Sequence, residues 1–172
     1  MNAAGVSGSF GRDTLDKITE GELHRMMQLN WTATVLLTQR VYKDMEQGGA
    51  IVNISSLSGL RGGKGNTPYA SSKFALQAFT QSFALEAIER GIRVNAVCPG
   101  YVDTAMGNGA ILSVGKAVGN DYTEQRRLIE QQMPSGRITN PEEVANTATF
   151  LLTGAAKNII GESIKITGGA YM

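Results

Sequence analysis

Apolar residues recur along this chain with two periods that take turns from one end to the other. Over residues 19 to 46 the helical period rules: Met26, Leu29, Ala33, Leu36 and Leu37 follow at three- and four-residue spacing, behind a Thr19/Glu22 pair spaced as a capping box. Ala50 to Ile54 (AIVNI) breaks that period and predicts a buried strand of largely β-branched residues. A glycine-rich loop at 59 to 65 leads into a second helix over about Pro68 to Glu89, with Gly91 as its C-terminal glycine. Ile92 to Val97 (IRVNAV) is the next strand, and Pro99-Gly100 breaks it. The long segment from Tyr101 to Gly136 predicts one helix, near Tyr122 to Gln132. Asn140, Pro141 and Glu143 open a further helix that stops at Gly154, and Glu162 to Thr167 (ESIKIT) is a last strand before Gly168-Gly169.

Strands separated by helices at this spacing predict parallel strands joined by right-handed crossovers, an α/β layered fold. In such a sheet ligands bind at the carboxyl ends of the strands. Ser55-Ser56 follows the first strand and Pro99-Gly100 the second, so both loops fall on the binding edge. No internal repeat or low-complexity linker divides the 172 residues, which read as one domain or part of one.

Composition narrows the partners. The chain is 42% hydrophobic and 18% charged, enough apolar material for a packed core, and its 16 basic and 15 acidic side chains nearly cancel. No strong net field recruits nucleic acid or anionic lipid, so recognition is local. The single cysteine, Cys98, forms neither an internal disulfide nor a cysteine-based zinc site, and no metal site is predicted. No apolar run is long enough for a membrane span, and the opening MNAAGVSGSFG has neither a basic n-region nor an apolar h-region. A cytoplasmic location is expected.

The chemistry concentrates at the start of the second helix. Tyr69 and Lys73, four apart in YASSK, share one helix face and can act on one ligand. A fixed ammonium beside a phenol favours the phenolate, so Lys73 is expected to pull Tyr69 below its ordinary value of about 10, toward general acid/base work. Ser56, in VNISSLSG, lies thirteen positions before Tyr69 at the end of the first strand.

With this serine, tyrosine and lysine in place, the sequence resembles the classical short-chain dehydrogenases/reductases. The resemblance also covers NAAG at Asn2 to Gly5, LNWTA with Asn30, VNAVCPGYVDT at 94 to 104, PSGRITNPEEVA at 134 to 145 and the closing GESIKITGG. It implies an NAD- or NADP-dependent oxidoreductase that interconverts a ketone and a secondary alcohol by hydride transfer, with Tyr69 as the proton donor and acceptor. It further implies that Ser56 bonds the substrate oxygen, that Lys73 bonds the nicotinamide ribose, and that Asn30 holds a relay water. Asn95, Pro99, Gly100, Val102 and Thr104 would border the nicotinamide, and Asn2, Ala4 and Gly5 the adenosine part. Among family members the sequence looks most like the 3-oxoacyl-thioester and polyketide ketoreductases.

Other features read more plainly. Cys98 is a small residue for packing at a strand end, and His24 is a solvated helix side chain with no second ligand or nucleophile near it. Gly59, Gly62, Gly63 and Gly65 do not have the G-x-G-x-x-G spacing and occupy the serine loop. The family's dinucleotide fingerprint lies upstream of its NNAG motif, which here reads NAAG with Ala3 in place of the second asparagine, and Thr167 stands where an aspartate is frequent. The resemblance therefore implies the C-terminal part of a Rossmann-like doubly wound parallel sheet, truncated at the N-terminus, and these residues alone are not expected to bind NAD(P)H. The alternative to an enzyme is an inactive fragment that acts only by association. Met106, Ile111, Leu112, Val114 and Val118 among glycines predict a mobile lid over an apolar or amphipathic carbonyl substrate. Finally, the near-complete apolar wrap of the Tyr69 helix predicts a two-fold homodimer or homotetramer built on that helix and the one at 19 to 46, with Phe74, Phe79 or Phe83 contributing.

Overall fold

The computed structural model describes residues 1–8 and 14–172. Its centre is a sheet of three parallel strands, β1 (Ala50–Ile54), β2 (Arg93–Pro99) and β3 (Ser163–Ile166), in that spatial order. Ile51 pairs with Val94 in the β1/β2 register and Val97 with Ile164 in the β2/β3 register. Outside β1, the first residues run alongside its free edge: the Asn2 N–H donates to the Val52 carbonyl at 2.8 Å and the Asn2 carbonyl accepts from Ile54 at 2.9 Å.

Alternation along the strands assigns two cores. Ile51 and Val94 point to the face covered by helix α3 (Thr67–Ala87), where they pack with Ala84, Ala87, Ile92 and Phe83. Val52 and Val97 point to the other face, covered by α6 (Pro141–Leu152) through Ala148 and Leu151. Because helices cover both faces, every residue of β2 is buried, and the strand reads as an unbroken apolar run with isolated polar residues rather than as alternation. This is the expected α/β architecture, with α3 and α6 as its two layers.

The helix expected over 19 to 46 is not one helix. Thr19 and Glu22 close a complete capping box at the start of α1 (Glu20–Met27), but Gln28–Thr32 form a π-helical turn before α2 (Ala33–Tyr42) resumes. The helix also ends at Tyr42 rather than 46: the Asp44 and Met45 N–H groups bond carbonyls three residues back, those of Val41 and Tyr42, at 3.1 and 3.2 Å, and the Gly48 N–H bonds the Gly91 carbonyl at 2.9 Å. The expected α3 is found, closed by Gly91 in the left-handed region at φ 69°.

The largest difference lies after β2. The glycine-rich segment expected as a mobile lid contains a second helix, α4 (Ala105–Val118), ahead of the expected α5 (Tyr122–Gln132). Thr104 caps α4, its hydroxyl accepting from the Gly107 N–H at 3.1 Å. Its glycines are needed for close packing: a Cβ on Gly107 would collide with the Val102 carbonyl, and one on Gly115 would sit 3.0 Å from the Asn120 carbonyl. The α4–α5 pair has a small core of its own, Ile111, Ile129, Met133 and Ile138.

Candidate active site

The carboxyl ends of β1 and β2 open into a cleft of about 900 Å³, a volume that suits a small organic ligand. Ser56 stands directly after β1 in extended backbone, its hydroxyl accepting from the Ser58 N–H at 3.1 Å. The turn that follows brings Gly59 so close to α3 that a Cβ there would lie 2.8 Å from the Lys73 carbonyl oxygen. That approach seats the serine loop on the first turns of α3. Tyr69, in the opening turn behind Pro68, is 7% exposed and hydrogen-bonds Ser56. Lys73 lies one turn on, 5% exposed, with Nζ donating to the Ile54 carbonyl at 3.1 Å and standing 5.7 Å from the Tyr69 ring centre. Ser56, Tyr69 and Lys73, the set that the family resemblance implied, are therefore brought together.

The electrostatics differ from expectation. Burial pushes the Tyr69 phenol above its ordinary value, and the Ser56 hydrogen bond pulls only partly the other way. The same burial pushes the Lys73 ammonium down to about 8, and its hydrogen bond goes to a backbone carbonyl rather than to the phenol. Beneath the pair, the Cys98 thiol is fully buried and pushed up to about 11 by burial, with Gln77 Nε2 at 2.9 Å from its sulfur. It is the packing residue the sequence suggested. His24 is exposed on α1, as expected of a solvated side chain.

Asn30 lies in the π-helical turn and is fully buried. Its side chain is bound at both ends: Oδ1 accepts from the Val6 N–H at 2.7 Å, while Nδ2 donates to the Val6 carbonyl and to Ser72 Oγ, each at 3.0 Å. Ser72 in turn donates to the Tyr69 carbonyl at 2.7 Å. Asn30 thus reaches α3 through Ser72, a link the sequence reading missed. The readable signal was a second serine three after Tyr69, hence on the same helix face.

The residues expected at a cofactor divide into two groups. Pro99, Gly100, Val102 and Thr104 line the cleft with Ser56 and Tyr69. Asn95 does not: its side chain donates to the Ile159 carbonyl at 2.8 Å and accepts from the Glu162 N–H at 2.9 Å, which fastens the connection into β3. Asn2 turns its amide toward Asn53 and Thr38, at 2.8 and 3.2 Å, and it is Met1 and Ala3 of that segment that line the cleft. Ala4 is exposed, and Gly5 packs where a Cβ would meet Asn30 Oδ1 at 3.1 Å and Lys73 Nζ at 3.5 Å.

Comparison with known proteins agrees with this geometry. A family model described as enoyl-(acyl carrier protein) reductase matches residues 1–171. The 3-oxoacyl-(acyl-carrier-protein) reductase of Vibrio cholerae is 35% identical over 175 residues, covering all of this chain and 66% of its own length. The enzyme of that name from Aquifex aeolicus is 38% identical over 174 residues, covering 99% of this chain and 64% of its own. The chain therefore spans just under two thirds of these curated relatives. Among solved structures, sorbitol-6-phosphate 2-dehydrogenase from Erwinia amylovora superposes with a TM-score of 0.92 at 26% identity, covering 99% of this chain and 67% of that one. A short-chain dehydrogenase family protein from Francisella tularensis gives 0.90 at 28% identity, covering 98% and 68%. With the serine and tyrosine in the wall of one cleft, the lysine one turn behind them and the family model matched over residues 1–171, the chain belongs to the short-chain dehydrogenase/reductase family.

Proposed function

We propose that these residues form the catalytic half of an NAD- or NADP-dependent oxidoreductase that interconverts a ketone and a secondary alcohol, with a 3-oxoacyl thioester as the favoured substrate. The observation that carries the reading is the hydrogen-bonded Ser56–Tyr69 pair in the wall of the cleft, with Lys73 one helical turn behind it. The residues present suit the nicotinamide-ribose end of the cofactor. Pro99, Gly100, Val102 and Thr104 border the cleft, and Lys73 uses one ammonium hydrogen on Ile54 of the three it carries, which suits a ribose diol. The nicotinamide supplies or accepts the hydride at the substrate carbon.

In reduction, Ser56 Oγ donates to the substrate oxygen and orients it against Tyr69. The phenol, held above its ordinary value and so fully protonated at neutral pH, gives its proton from Oη to that oxygen as the negative charge develops. In oxidation the same Oη takes the proton back. Asn30, through Ser72, holds the backbone of Tyr69 in place. Tyr69→Phe in the complete protein is expected to lower turnover by roughly 10²- to 10⁴-fold without unfolding it. Retention of more than a tenth of the activity would refute the assignment.

We further propose assembly through α2 and α3. Leu36 and Leu37 on α2 (each 55% exposed) and Leu85 on α3 (72%), with Phe74, leave a large apolar surface uncovered. Phe79 and Phe83 are poorer candidates, since they stack on each other at 5.4 Å and Phe83 packs edge-on against Tyr42. Light scattering on the complete protein is expected to give an even-numbered oligomer, which Leu85→Glu with Phe74→Glu should split; a monomer in the unmodified protein would overturn this.

A further inference from the structure

The cleft that would house the proposed reaction is charged on one side. Arg61 and Lys64 both line it, on the 61–65 loop that joins Ser56 to Tyr69, and no aspartate or glutamate lines it among the described residues. Both cations are solvent-exposed, and neither takes part in any of the ion pairs found among the described residues. Arg61 is also held in place. Its guanidinium carbon stands 5.3 Å from the centre of the Tyr171 ring, and the Lys165 ammonium lies 5.2 Å from the same ring, so a third positive charge backs the first. The wall contributed by α4 is the reverse in character: Met106, Ala110, Val114 and Val118 present an uncharged, apolar surface.

A cleft with unpaired cations at one side and an apolar wall at another raises the local concentration of an amphipathic anion and gains nothing from a neutral one. We infer that the substrate of this site carries an oxyanion, a phosphate ester or a carboxylate, tethered to the reacting carbonyl, with its apolar part on α4 and its charge beside Arg61 and Lys64. The inference rests on the ketone/alcohol reading above. The charge is placed by residues that move no proton in the reaction, so it acts through binding: KM carries the effect and kcat does not.

The test uses the complete protein and one 3-oxoacyl group presented as two thioesters, the uncharged N-acetylcysteamine ester and the phosphopantetheine ester, with the same acyl group on an acidic carrier protein as a third arm. The phosphopantetheine ester is expected to be favoured by roughly 10-fold in kcat/KM at low ionic strength, through KM, and the preference is expected to collapse at high salt. In the Arg61→Glu/Lys64→Glu variant the ratio between the two small esters should fall toward one. Equal kcat/KM for the two esters would overturn the inference while leaving the proposed reaction standing. A preference that survives both salt and charge reversal would overturn the assignment to Arg61 and Lys64. Preference confined to the carrier-protein arm would overturn it too, by moving the anion onto the carrier's surface. Reduction of none of the three would overturn the thioester reading and this inference with it.

Discussion

The two walls of the cleft are built by opposite means. The wall formed by the end of β1 and the start of α3, with the π-helical turn behind it, is held by buried polar groups that bond mostly to backbone: Asn30 to the N–H and carbonyl of Val6, Ser72 to the Tyr69 carbonyl, Lys73 to the Ile54 carbonyl. The wall formed by α4 is backed by α5, and the two are fastened on their outer side by a ring of side chains. Arg126 donates to Asp103 at 2.9 Å and to Glu130 and Tyr122 at 3.0 Å each, while Asn108 closes the ring by donating to Asp103 and accepting from Tyr122. Buried bonds to backbone leave an orphaned amide if broken and so fix geometry. A half-exposed charged ring is easily replaced by water and permits adjustment. The wall that carries Ser56 and Tyr69 is set, and the α4 wall is fastened but changeable.

Four substitutions break or sharpen that contrast. Gly59→Val puts branched carbon into the space where even a Cβ would stand 2.8 Å from the Lys73 carbonyl, so the serine loop must lift off α3. A loss of roughly 3 kcal/mol or more of stability is expected, with turnover falling further than the fold does. Thermal melts and single-turnover rates check it, and a neutral effect on both would show the contact is not tight.

Asn30→Leu should cost roughly 2 to 4 kcal/mol, since it strands the amide groups of Val6 and the Ser72 hydroxyl in a buried site. Hydrogen exchange at Val6 is the sharper readout: protection there should vanish, and its persistence would deny Asn30 the role.

Lys73 gives a pH prediction. An ammonium pushed down to about 8 leaves the unfolded chain holding one more proton than the folded one between about 8 and its ordinary value of 10.5, so this group's contribution to stability rises with pH through that window and is lost as pH falls to about 8. The span is on the order of 3 kcal/mol. Cys98, pushed up from 9.0 to about 11, works in the opposite sense, its contribution present below 9 and lost as pH rises to 11. Because the two overlap, the clean measurement is direct: in protein with ¹³C-methylated lysines one resonance should titrate near 8 and be missing from Lys73→Met. Titration of every lysine above pH 10 would contradict it.

The smallest effect belongs to the other wall. Arg126→Met should cost about 1 kcal/mol or less globally, yet raise hydrogen exchange across α4 and α5 and leave β1 and α3 unchanged. Equal loosening of both walls would erase the distinction.

Much of this was legible in the order of residue types, and the exceptions share a cause. β1, the reach of α3 and the shared face of Tyr69 and Lys73 follow from period, a proline at the helix start and i,i+4 geometry, all of which are local, whereas the approach of Ser56 across thirteen residues was legible only through the family resemblance. The helix α4 escaped because Gly107, Gly109 and Gly115 lower helix propensity, whereas at Gly107 and Gly115 the missing Cβ admits a neighbouring backbone. Asn95 and Asn2 escaped because an amide on or beside a strand can face a ligand or a loop, and only the fold says which. The Tyr69 phenol was expected low and stands high, since spacing reveals a nearby cation but not the depth at which both groups are buried.

The π-helical turn also governs angle. Met26, Asn30, Thr34 and Thr38 are the buried residues of α1 through α2, each four after the last. In an unbroken α-helix a strict four-residue step advances about 40° beyond a full circle each time, so such a series winds progressively off the sheet. The wider turn at Gln28–Thr32 takes up part of that advance and keeps the later threonines in line with the earlier residues. Removing one residue there would restore a regular helix and turn everything after it by about 100°, swinging Leu36 and Leu37 away from where they now face. The turn that seats Asn30 is thus also the gear that sets the azimuth of the outer surface of α2.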